Sequence, residues 1–374
     1  MKGPSHIALV SVTMGAGSSK SLVEACLEGD VSSVTASIKS SKTKFDANTF
    51  IQEMFADARD LMDRHATVKG RDITVWGELP ISPQPDPTII TAIKLVLTKY
   101  HKSFDPDIAS MVLIYACYTH IALVPVILEL FKSKLQADRI MLAILLCEIR
   151  YPDTCWLIMT SCIDQLTRYS INECFNICCK QNNIPTLKLV IEHHHAELRL
   201  FVESSEGLNI GIDTGINKCC SYESLEMVEL LISKCVFLAP RLLRGCAIHS
   251  NTTAAKLVFD RYKQVLTEPL DWIVETAFAR ATTNHDTEML ELFIDELESK
   301  LGRNLEHVLI LSCIRGDVRS VRMLIDRCSQ YLRFEYGYVR SEPLAAEVWT
   351  LMEGRFGERL QKMNDYWHIT ATKF

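Results

Sequence analysis

The chain has 374 residues, of which 48% are hydrophobic and 23% charged, with only 15 Gly and 12 Pro; such a profile excludes a mostly disordered chain and favours a helix-rich folded one. A formal charge of -6 repels phosphate backbones and anionic bilayers, so neither nucleic acid nor a membrane is expected as partner. Fourteen cysteines in so long a chain, with no basic region, long apolar stretch and cleavage site near its start, predict reduced thiols and a cytoplasmic location, the nucleus being the alternative.

In chain order, residues 1–20 contain Gly3, Pro4, Gly15, Gly17 and a Ser run, and read as a flexible leader. Ile7 to Thr13 followed by Met14 to Ser21 has the outline of a strand, a Gly-rich loop and a helix start. A phosphate-binding loop, however, needs Gly directly before its Lys and six before it, where this chain has Ser19 and Met14. A first helix is expected over Lys20 to Leu27. Residues 66–87 close in Pro80, Pro83, Pro85 and Pro87, which excludes regular helix and predicts an extended insertion inside one repeat. Met111 to Leu128 is apolar enough to suggest a membrane span, but Thr119, His120 and Pro125 interrupt it and predict helix, turn, helix. Residues 203–211 are expected to form an enlarged loop between repeats. The segment 331–374, dense in aromatic side chains among charges, reads as a C-terminal cap over the last repeat.

The repeat itself emerges from self-comparison. Cys26-Leu27-Glu28-Gly29-Asp30-Val31-Ser32-Ser33-Val34 aligns without a gap on Cys313-Ile314-Arg315-Gly316-Asp317-Val318-Arg319-Ser320-Val321. The second segment continues into Val321-Arg322-Met323-Leu324-Ile325, and the same apolar shape recurs from Leu187 and Val228, with weaker copies from Ile93, Val126, Trp156, Ala255 and Leu290. Counted between these anchors from Ile93 onward, the mean period is about 33 residues. Two helices with an apolar stripe fit within each period, and they bury that stripe only against neighbouring units.

Two small residues, Gly about three positions on, and Val-x-x-Leu-Leu starting eight after the second small residue resemble the ankyrin unit. Here Ala25-Cys26 with Gly29 and Val34, Cys178-Cys179 with Leu187, Cys219-Cys220 with Val228, and Cys313 with Gly316, Val321, Leu324 and Ile325 carry the pattern. The chain thus resembles a divergent ankyrin-repeat family over residues 21–330. That resemblance implies an all-α fold, an ankyrin-like α-solenoid of about eight to nine degenerate helix-turn-helix repeats. The Thr-Pro-Leu-His signature of the family is missing; Thr214 alone stands in register, followed by Gly215, so shortened or irregular fingers are expected. Such divergence is similar to that of ankyrin proteins in large DNA viruses and parasites, and a viral source would make the partner a host factor.

The resemblance also implies function: a non-enzymatic adaptor or scaffold that binds a protein through the concave face formed by its fingers and first helices. By register, Glu24, Glu28, Lys180, Gln181, Lys218, Tyr222, Glu223 and Arg315 are the candidate contacts, centred between the anchors at 187 and 228 where the step is longest. No catalytic, cofactor-binding or metal residues and no small-molecule substrate are expected. His193-His194-His195 follows Cys174, Cys178 and Cys179, but these cysteines include the repeat's small residues and no pair of CxxC units exists. The histidines are expected as a solvated helix end. The competing reading is an enzyme or nucleotide-binding protein that uses the Gly/Ser-rich leader or the 66–87 insertion.

Overall fold

The computed structural model describes residues 22–40, 45–55, 86–148, 150–203, 210–221, 225–262, 272–284, 286–330, 347–348 and 350–357. Helix dominates, and no strand occurs among the described residues, so the chain is all-α as its composition and periodicity predict. It divides into two compact units, Met1–Ile171 and Asn172–Phe374. The leader, all of the 66–87 insertion except Asp86 and Pro87, residues 204–209 and most of the tail lie outside the described residues.

The first unit contains α1 (Leu22–Leu27), α2 (Val31–Ser40), α3 (Ala47–Met54), α4 (Pro87–Tyr100), α5 (Pro106–Thr119), α6 (Val124–Phe131), α7 (Ala137–Cys147) and α8 (Pro152–Ser161). Its helices pair as hairpins, α1 on α2, α5 on α6 and α7 on α8, and the hairpins pack in series. The helices α1, α3, α5 and α7 contact one another in succession, as do α2, α4, α6 and α8. Local signals set the starts: Asp86 and Asp105 each cap a helix whose first residue is Pro, accepting N–H bonds from Thr88 (2.8 Å) and Ile108 (2.8 Å). Where a membrane span was conceivable, the chain instead forms α5, a short 3-10 turn over Ile121–Leu123, and α6 with Pro125 in its first turn. Among the described residues no helix is long and apolar enough to cross a membrane. Between layers the core is filled by Ile93, Leu97, Phe104, Leu113 and Phe131, all fully buried, each contributing roughly 1.5 to 3 kcal/mol of transfer free energy.

The helix α9 (Arg168–Lys180) crosses the division. The second unit continues with α10 (Ile184–Glu203), α11 (Ile210–Ser221), α12 (Leu225–Lys234), α13 (Ala239–Ile248), α14 (Thr252–Tyr262), α15 (Trp272–Thr283), α16 (Thr287–Ile314) and α17 (Val318–Cys328). The layering repeats, α11 on α13 on α15 and α10 on α12 on α14. Small residues permit the close approach within one layer. A Cβ on Gly245 would stand 2.8 Å from Cys220 Sγ, and one on Gly215 would stand 3.1 Å from Asn176 Cα. All fourteen cysteines are free and buried, occupying packed positions where a compact apolar side chain is required.

Two expectations meet a different local structure. At the histidine run the helical backbone is broken at His194 (φ -127°, ψ 28°), and a further helical stretch, counted with α10, follows it to Glu203. His194 is buried, His195 Nε2 donates to the Lys234 carbonyl (3.0 Å), and buried Leu198 and Phe201 carry the helix onward. Apolar side chains beyond the break start the second stretch, while His193 and His195 stay exposed on either side of it. Further on, the anchor at Leu290 and the small residue Cys313 fall in one uninterrupted helix, α16, where two helices of different repeats are expected.

Candidate interaction surface

Four hairpins share one turn, atom for atom. After α1, Gly29 takes a positive φ of 69°; its N–H donates to the Cys26 carbonyl (3.0 Å) and the Asp30 N–H to the Ala25 carbonyl (2.9 Å). This is the double bond of a left-handed helix C-terminus, which consumes two carbonyls that α1 would otherwise leave unpaired. Asp30 then starts α2, accepting from the Ser33 N–H (3.0 Å) and hydroxyl (2.6 Å). Between α16 and α17 the same bonds run from Gly316 (φ 68°) to Cys313, from Asp317 to Ser312, and from Ser320 to Asp317.

Two copies do without glycine. Asn182 (φ 54°) donates to Cys179 and Asn183 caps α10 at Thr186; Ser250 (φ 54°) donates to Ala247 and Asn251 caps α14 at Ala254. Each turn therefore reads small residue, left-handed residue three on, and capping residue four on. The copy at Ala247 escapes a search keyed to glycine, yet Ser250-Asn251 and Ala255 eight after Ala247 carry the same message in other letters.

Neighbouring hairpins of the second unit are tied along this edge. Asn251 Nδ2 donates to the Cys220 carbonyl (3.0 Å), and Asn284 Nδ2 donates to the carbonyls of Ala247 (3.0 Å) and Ile248 (3.1 Å). Side chains beside the turns thus sit on a braced frame, with little backbone freedom left to lose on binding.

The described candidate contacts lie beside the turns of their own unit. Glu28, Gln181 and Arg315 occupy the same position, two after the small residue; Lys180 is one after Cys179, and Lys218 two before Cys220. Glu28, Lys218 and Arg315 are exposed, whereas Glu24, Lys180 and Gln181 are half-buried. Glu24 and Glu28 belong to the first unit, Lys180, Gln181, Lys218 and Arg315 to the second. Tyr222 and Glu223 lie outside the described residues. A residue missed by register is His249, the counterpart of Gln181 and Arg315; burial and the charge of Lys218 hold its imidazole below the ordinary range.

Near the N-terminal ends of α11 and α13, away from the turns, lies a second missed feature. Arg241, only 9% exposed, donates to the Asp213 carboxylate, whose other oxygen lies 4.0 Å from Arg244 Nη1. The partners come from α11 and α13, so no local spacing announces them. Removing one partner alone would strand a buried charge.

The buried thiols are poor nucleophiles. Burial pushes the thiols of Cys26 and Cys313 up to about 12 and that of Cys162 up to about 11, so they stay protonated near neutrality. Among the described residues no group of three His, Cys, Asp or Glu side chains is placed to hold a metal ion. No family model matches the chain, and neither the curated proteins nor the solved structures contain a match for it.

Proposed function

We propose that the chain is a non-enzymatic protein-interaction module, an adaptor or scaffold of ankyrin-like hairpins that holds a protein partner on its first-helix side and along the adjoining turns. One observation carries this reading. In the four equivalent turns the inward position stays small (Cys26, Cys179, Ala247, Cys313), while the outward position two residues later changes freely among Glu28, Gln181, His249 and Arg315. A repeated frame with varied outer side chains suits recognition of a large, irregular surface; turnover would instead require one constellation of acid, base and nucleophile. The cytoplasm is the proposed location, where buried reduced thiols persist.

Affinity purification of the full chain with mass spectrometry tests the proposal: a stoichiometric protein partner is expected. Against that partner, Lys218→Ala combined with Tyr222→Ala should weaken binding by about 2 kcal/mol or more if the contact centres there. Thermal stability should shift by no more than roughly 0.5 kcal/mol, since Lys218 is exposed. Recovery of a bound nucleotide without any protein partner would favour the enzyme or nucleotide-binding alternative. Unchanged affinity would move the contact away from this edge.

A further inference from the structure

The sides of α2 and α4 that face away from the first helices border a groove of about 500 Å³. Its apolar lining comes from Ile38 and Leu95, the latter 37% exposed, and from the methyl of Thr91. Lys39, Lys94 and Lys99 stand around it, and no acidic side chain lines it. Among the described residues none of these three lysines forms an ion pair. In a chain of net charge -6, three uncompensated cations around an apolar floor are a local reversal of sign.

Lys39 and Lys99 have a partial explanation within their own helices, because each lies in a last turn, where the helix dipole favours a cation. Lys94 sits in the middle of α4 and has none. Leu95 alone would be an ordinary exposed apolar residue, but Ile38 on the neighbouring helix completes a two-sided furrow. We propose that this groove is a docking site for an acidic amphipathic helix of a protein partner. The ridge of such a helix would enter between Ile38 and Leu95, and its flanking carboxylates would meet the three ammonium groups.

A furrow between two helices accepts a ridge, whereas a bilayer offers a flat surface that the net charge already repels. Nucleic acid would leave the apolar floor unpaired. The site lies on second helices and stands independently of the turn edge, so the two proposals fail separately.

The test titrates the full chain with a helix-stabilised synthetic peptide carrying a Leu stripe flanked by Glu, and with its counterpart carrying Lys in place of Glu. Saturable binding of the acidic peptide is expected, with hydrogen-exchange protection confined to α2 and α4. The variant K39E/K94E/K99E should weaken it roughly tenfold or more, whereas K218A/Y222A should not change it. If the triple variant melts early, Lys94→Ala alone replaces it, with a smaller loss expected. Equal binding of the two peptides, protection elsewhere, or affinity unaffected by charge reversal would overturn the proposal. So would binding to phosphatidylserine vesicles without binding to the acidic peptide, which would assign the groove to a membrane surface.

Discussion

The hairpin α1–α2 and the hairpin α5–α6 make the same reversal by different physics. The first turns on its backbone: Gly29 adopts a left-handed conformation and Asp30 caps the next helix. The second has neither device. His120 (φ -136°) ends α5, a 3-10 turn follows, and Pro125 opens α6. What holds that reversal is a packed imidazole, its Nδ1 2.5 Å from Thr119 Oγ1 and its ring edge-on to Phe55 at 5.1 Å. A backbone turn leaves a compact fingerprint in the sequence, because few residues tolerate a positive φ and few can cap. A side-chain turn depends on what packs around it and leaves a sparser one, here only His120 and Pro125.

The largest expected effect separates the two by pH. Burial lowers the His120 pKa from 6.5 to about 4, so between those values the unfolded chain binds the extra proton and the folded one does not. The stability is fully present above pH 6.5 and is lost progressively as pH falls toward 4, by up to about 3 kcal/mol from this group. Denaturant unfolding at several pH values checks this. His120→Gln should remove that part of the slope, and an identical slope in the variant would show that the imidazole is not responsible.

Next in size is a contrast between two glycines with the same φ. At Gly316→Ala the left-handed backbone contributes a loss of about 1 kcal/mol. Gly29→Ala should cost more, about 2 kcal/mol or above, because its Cβ would lie 2.2 Å from Thr88 Oγ1 at the start of α4. A loss of only about 1 kcal/mol at Gly29 by thermal melting would mean that α4 yields freely. Smallest are the two turns that lack glycine. Ser250→Gly should stabilise by a few tenths to about 1 kcal/mol, while Asn182→Gly should change little, since Asn tolerates the left-handed region better than Ser. The reverse order would break the equivalence of these turns.

Much of the turn edge was legible in advance because its logic is local. A small residue, a left-handed residue and a cap lie within five positions of one another, so Cys26, Cys179 and Cys313 declare themselves with their outward neighbours Glu28, Gln181 and Arg315. The run Met111 to Leu128 was legible for the same reason, its Pro and His marking the reversal. His249 was not, because Ser250 stands where a glycine signals elsewhere. The helical stretch after the break at His194 was hidden too, since what holds it is the burial of Leu198 and Phe201.

By itself the sequence determined an all-helical chain, the places where four hairpins turn, and a compact apolar residue, mostly cysteine, at each of those packed points. Bonds spanning three to five residues and the apolar period decide these features before any distant contact forms. Tertiary structure alone decided that Asp213 meets Arg241 and that α16 runs unbroken through 28 residues. It also set Ile38 and Leu95 on two sides of one lysine-rimmed groove. Each of these depends on which helix lies alongside, and packing between elements remote in the chain makes that choice.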